Sequence, residues 1–189
     1  MLGPLAVRAD GADVQLAQKK VAALLAFLAH KNEPVSREAL ADLLWGDSAE
    51  EQAKASLRQA LSALRKTISD HLRAEASMVT LNEAQVDTVA FSAFAQALDE
   101  TTLAEAAAAY GGDMLEGLPA VTPEFDRWLE AERAALRADH MNVLLRLADA
   151  AQERSATDEV ISICTRLLAL DPLQEHVHRR LIAAGGRCT

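Results

Sequence analysis

Apolar positions along this chain fall into two rhythms, and the switches between them mark the predicted elements. Residues 5–16, LAVRADGADVQL, alternate apolar and polar positions around Asp10-Gly11, the pattern of two short strands joined by a tight turn. In AQKKVAALLAFLAHKN the period becomes helical: Val21, Leu24, Leu25 and Leu28 share one face, and the pattern stops at Asn32, ahead of Pro34. VSREALADLLWGD predicts a short second helix, with Ser36 capping the next turn, Glu38 at the positive end and Gly46 terminating it. Beyond the acidic DSAEE, a third helix is predicted from about residue 49 to about residue 71. ASMVTLNEAQVDT returns to alternation and β-branched residues, which predicts a second hairpin with Asn82-Glu83 as its turn. From Asp87, expected as an N-cap, nearly everything reads as helix: FSAFAQAL, LAEAAAAY, a long run over residues 123–154, and DEVISICTRLLAL, closed by Pro172.

The expected fold is mostly α, with small β-hairpins confined to the first half. Residues 1–92 form one compact unit and residues 93–189 an all-helical array of tetratricopeptide-like pairs. Composition agrees with helix: half of the 189 residues are hydrophobic but only 4% are aromatic, and Ala and Leu lose little on entering a helix. Cys164 and Cys188 are separated by a 23-residue gap, which fits no zinc or redox motif, and no run approaches the length of a membrane span. A reduced, cytoplasmic protein is expected.

Charge sharpens the division. The chain carries a formal net charge of -9, yet residues 1–95 hold all five lysines and net only -2, against -7 for the remainder. Within this acidic chain the stretch KASLRQALSALRK has four basic residues and no acid. Leu57, Ala60, Leu61, Leu64 and Ile68 lie on an arc about 100° wide, while Lys54, Arg65 and Arg58 cluster just beyond its edge, and Ser62, Lys66 and Gln59 extend the polar face. A solvated helical face usually alternates Glu with Lys; this one has no acid between Gln52 and Ser69, so its charges repel unless an anion is bound. Arg grips phosphate or the guanine edge, Gln pairs with adenine, and a helix followed by a hairpin offers a major-groove element and a wing. The pattern is that of a winged helix-turn-helix.

Other groupings carry less. His176 and His178 sit two apart on a helix and face different directions, so no metal is expected. Gly111-Gly112 reads as a helix break rather than a phosphate loop, and Trp45 and Trp128 as packing residues. No catalytic motif is present, and neither an enzyme activity nor a cofactor is expected.

The segments LGPLAVRADG, KKVAALLAFLA, PVSREALADLLWGD and ASLRQALSALRK together resemble the response-regulator-type winged helix that opens the SARP class of bacterial transcriptional regulators. AYGGDMLEGL, EFDRWLEAERAALR and RLLALDPLQEHVHRRL resemble the bacterial transcriptional activator domain that follows it. The resemblance implies a DNA-binding regulator, often a dimer on direct repeats, whose third helix enters the major groove. By position, Arg58, Gln59, Ser62, Arg65 and Lys66 would face double-stranded DNA, Lys54 would touch phosphate, and Ser36 and Arg37 would approach the backbone. The loop containing Gly46, Asp47, Ser48 and Glu50 would face RNA polymerase. Two departures stand out: the first strand is expected to be clipped at Met1, and the helical domain to be truncated at AAGGRCT. The wing, with Arg73 as its one base and Glu83 near the expected tip, would hold DNA weakly. The rival expectation is a protein-interaction module whose winged helix no longer binds DNA.

Overall fold

The computed structural model describes residues 1–9, 11–68, 71–82 and 84–186. Asp10 and Glu83, expected turn residues, and Cys188 lie outside the described residues. Packing divides the chain into two compact units, each assembled from two stretches: Met1–Ala90 with Gly111–Ala134, and Phe91–Tyr110 with Ala135–Thr189.

The first unit opens with strands β1 (Arg8–Ala9) and β2 (Ala12–Asp13), antiparallel with Ala9 opposite Ala12. Gly11 turns the chain at φ +78°, a left-handed conformation that costs a residue with a Cβ. Helix α1 (Lys19–Lys31) is buried on most of its circumference, from Val21 to Ala29, and forms the spine of the unit. It stops where predicted: Asn32 adopts φ 50°, and its amide donates to the Leu28 carbonyl. Strand β3 (Val35–Ser36), which the periodicity did not suggest, follows Pro34. In α2 (Arg37–Trp45) the Ser36 Oγ accepts from the Ala39 amide at 3.1 Å, the predicted cap. Gly46 ends α2 in a right-handed conformation; a Cβ there would sit 2.5 Å from the Asp42 carbonyl oxygen, so closeness rather than a positive φ demands glycine.

Helix α3 (Glu50–Ile68) buries Ala53, Leu57, Ala60, Leu61, Leu64 and Ile68, the predicted apolar arc with one alanine added. It ends short of the expected residue 71. Strands β4 (Leu72–Ala74) and β5 (Met78–Leu81) then form the wing, and the sheet order is β3-β5-β4, all antiparallel. The hairpin therefore turns at Glu75, Ala76 and Ser77, not at Asn82-Glu83. Burial accompanies this register: Leu72, Val79 and Leu81 occupy the inward face, with Leu72 opposite Leu81, and a one-residue slip of either strand would turn its apolar side chains outward. The turn propensity of Asn82 is weaker than that constraint.

A later stretch completes this unit. Met114, Leu115, Phe125 and Leu129 are buried, Thr122 donates to the Leu43 carbonyl at 2.7 Å, and the Arg133 guanidinium donates to the carbonyls of Met114 and Leu115. Trp128 packs against Phe27, with ring centroids 4.7 Å apart, and donates to Glu132, whose other oxygen meets His30. Trp128 is half-buried and Trp45 buried, with the Lys20 ammonium over the Trp45 ring. Both tryptophans are packing residues.

Helix α4 (Asp87–Ala95) begins in the first unit, where Asp87 is a first-turn residue rather than the expected cap; its carboxylate accepts from the Leu2 and Thr88 amides. The second unit comprises the rest of α4, then α5 (Glu100–Ala109), the C-terminal part of α6 (Pro123–Glu153), α7 (Thr157–Leu170) and α8 (Glu175–Gly185). Asp99 caps α5 by accepting from the Thr102 amide, and the glycine pair after it breaks the helix, with Gly112 at φ +148°. Val143, Leu144, Ala148, Ala151, Val160, Cys164, Leu167 and Val177 build the core of this unit. His140 is buried in it, stacked at 4.1 Å on Tyr110 and close to Phe91. No helix among the described residues is long and apolar enough to cross a membrane.

Candidate nucleic-acid interface

The polar face of α3 is held outward by the depth of its opposite face, since Leu57 and Leu64 are almost wholly buried and fix the helix about its axis. Arg58, Gln59, Ser62, Arg65 and Lys66 are all exposed, so the structure places together the side chains predicted to form one surface. Arg58 and Lys66 make no ion pair among the described residues. From Gln52 to the helix end at Ile68 no acidic side chain interrupts the face.

Lys54 behaves differently from its neighbours. Helix α3 starts at Glu50, within a residue of the expected start, and so sets Glu50 one turn before Lys54. The ammonium binds Glu50 and approaches Glu51 at 3.6 Å. The hydrogen bond to Glu50 raises the Lys54 pKa above its ordinary value and lowers that of Glu50. The two acids also suit the positive helix terminus, where Lys54 does not, so the first turn of α3 is internally neutralised. The basic stretch reads as if Lys54 belonged wholly to it, yet a helix starting near residue 49 already puts Glu50 at i,i+4 spacing from Lys54, and the structure closes that pair.

Arg37 and Arg65 are also engaged. Arg37 Nε donates to the Glu75 carbonyl at 2.8 Å, and Arg65 Nη2 donates to the Ala74 carbonyl at 3.1 Å. Both acceptors belong to the wing, at the end of β4 and the start of its turn. Ser36, besides capping α2, sits in β3 opposite Met78, half-buried. On the wing, Arg73 is exposed and faces Thr80 across the ladder. Of the segment between α2 and α3, Gly46 and Asp47 are exposed, and the half-buried Ser48 donates its amide to the Trp45 carbonyl. At the far end of the chain, His178 Nε2 donates to the Pro172 carbonyl at 2.8 Å, an ordinary use of a helical histidine.

A three-helix core, a three-stranded antiparallel sheet that carries the wing and an exposed basic third helix define a winged helix-turn-helix, and the helical array that follows completes the architecture of a bacterial transcription regulator. The model of the bacterial transcriptional activator domain matches residues 88–188, and that of the transcriptional regulatory protein C-terminal domain matches residues 11–83. The chain belongs to the bacterial transcriptional activator domain family, and the order of its two domains makes it a SARP-class regulator. Among solved structures it is similar to Mycobacterium tuberculosis EmbR in complex with a low affinity phosphopeptide, at 26% identity and a TM-score of 0.74 over 97% of this chain. That match spans 52% of the EmbR chain, so this chain corresponds to about half of it. No curated protein matches the sequence.

Proposed function

We propose that the protein is a sequence-specific DNA-binding transcriptional regulator that inserts α3 into the major groove. In this reading residues 1–92 hold DNA, while residues 93–189 serve contacts with partner proteins. The observation that carries it is the exposed, acid-free face of α3 bearing Arg58, Gln59, Ser62 and Lys66 on a helix anchored by Leu57 and Leu64. Arg and Gln at such positions have the fork geometry to read guanine and adenine edges, and Lys66 supplies phosphate attraction. The remainder of the reading follows the family: a cytoplasmic protein without catalytic chemistry, a homodimer on direct repeats, and RNA polymerase met by the segment of Gly46, Asp47, Ser48 and Glu50.

Selection from a pool of random duplexes at low salt, followed by sequencing, tests the reading directly. An enriched motif is expected. On that motif, Arg58→Ala should either flatten the log-log salt dependence by about one unit, if the guanidinium meets phosphate, or cost about 1–3 kcal/mol and relax one position, if it meets a base. Absence of any duplex binding at low salt would leave the protein-interaction module as the better reading.

A further inference from the structure

The wing of this protein is short and carries one basic residue, yet it is tied to the helix-turn-helix by two arginines from different elements. Arg37 opens α2 and Arg65 lies in the last turn of α3, and their guanidinium groups donate to consecutive carbonyls, Glu75 and Ala74. The Arg37 amide also donates to the Ser77 carbonyl at 2.8 Å, so one residue holds both sides of the wing turn. The turn itself is closed by the Glu75 amide on the Met78 carbonyl. We infer that Arg37 and Arg65 are positioning residues: they latch the wing to the recognition helix in advance of DNA, instead of spending their charge on it.

The chemistry supports this assignment over direct contact. The Ala74 carbonyl is the last of β4 and the Glu75 carbonyl the first of the turn, and each accepts from a donor outside the hairpin, Arg65 and Arg37 respectively. Arginine reaches them from a helix surface with a planar fork of donors that is pre-organised for the task. A wing held in place needs no ordering on binding, and the entropy of fixing it is removed from the cost of the complex. That matters here because Arg73 alone gives the wing electrostatic purchase on phosphate.

The inference deepens the DNA-binding reading, but one arm of its test needs no DNA. Amide hydrogen exchange on the full chain should show the amides of β4 and β5 exchanging about fivefold faster in Arg65→Ala and in Arg37→Ala than in the wild type, with α1 unchanged, the effect of losing one exposed hydrogen bond. Arg65→Gln, which keeps a donor and drops the charge, should recover part of that protection. On a selected duplex, Arg65→Gln should bind within a few-fold of wild type with an unaltered salt slope. Wild-type exchange in the alanine variants, or a slope flattened by about one unit in Arg65→Gln, overturns the latch and makes Arg65 a phosphate contact. If the wild type binds no duplex, the DNA-binding reading fails, and the exchange experiment alone decides the latch.

Discussion

Acid should weaken the helical unit through His140. Its imidazole is 4% exposed, stacks on Tyr110, and has a buried Nδ1 without a hydrogen-bond partner among the described residues. Burial, assisted by the Arg166 charge, lowers its pKa from 6.5 to about 4. Above pH 6.5 the ring is neutral in the folded and unfolded states alike, and it contributes no pH dependence. As the pH falls below that value the unfolded chain takes up the proton while the folded one does not. Folding is then disfavoured by about 1.4 kcal/mol per pH unit until the folded ring itself titrates. Between about pH 7.5 and about pH 5 this integrates to about 2 kcal/mol. His140→Phe keeps a ring on Tyr110 and has nothing to protonate. Urea unfolding followed by circular dichroism at the two pH values should therefore show the wild type losing about 2 kcal/mol more than the variant, other carboxylates and histidines being common to both. Equal losses in the two proteins would refute the reasoning and mean that the folded ring accepts its proton freely.

Other outcomes follow from single contacts. Replacing Glu50 and Glu51 together by Gln releases Lys54 and should tighten duplex binding while steepening the log-log salt slope by about one unit, as measured by anisotropy over a salt series; an unchanged slope would mean that Lys54 faces away from phosphate. Ser36→Ala removes the hydroxyl that accepts from the Ala39 amide and should destabilise the first unit by about 1 kcal/mol, read as a lower urea midpoint with tryptophan fluorescence from Trp45 and Trp128.

Much of the first unit was readable along the chain because local rules and burial agree there. The face of α3, the αL stop at Asn32 and the Ser36 cap each depend on residues within one or two turns of one another, so sequence spacing alone specifies them. The wing was misplaced for the opposite reason. Its register is decided by which of Leu72, Val79 and Leu81 can be hidden beneath it together, and β3 exists only because Val35 and Ser36 find β5 as a partner. The polar surface of α3 was predicted as a set, but its members differ: Arg58 and Lys66 are unpaired among the described residues, Lys54 is neutralised by the preceding turn, and Arg65 is tied to the wing.

By itself, then, the sequence determined the helices, their apolar faces, the basic third helix and the regulator class, since each is written in side-chain spacing and type. Only the tertiary structure decided that residues 111–134 complete the first unit, where the Gly111 break returns Met114, Leu115 and Phe125 to a core built by residues far earlier in the chain. It also decided which arginines are committed to carbonyls on the wing. Both are long-range choices: a buried apolar side chain or an unsatisfied carbonyl is met by whatever the folded chain brings within reach, and no local period in the sequence records that.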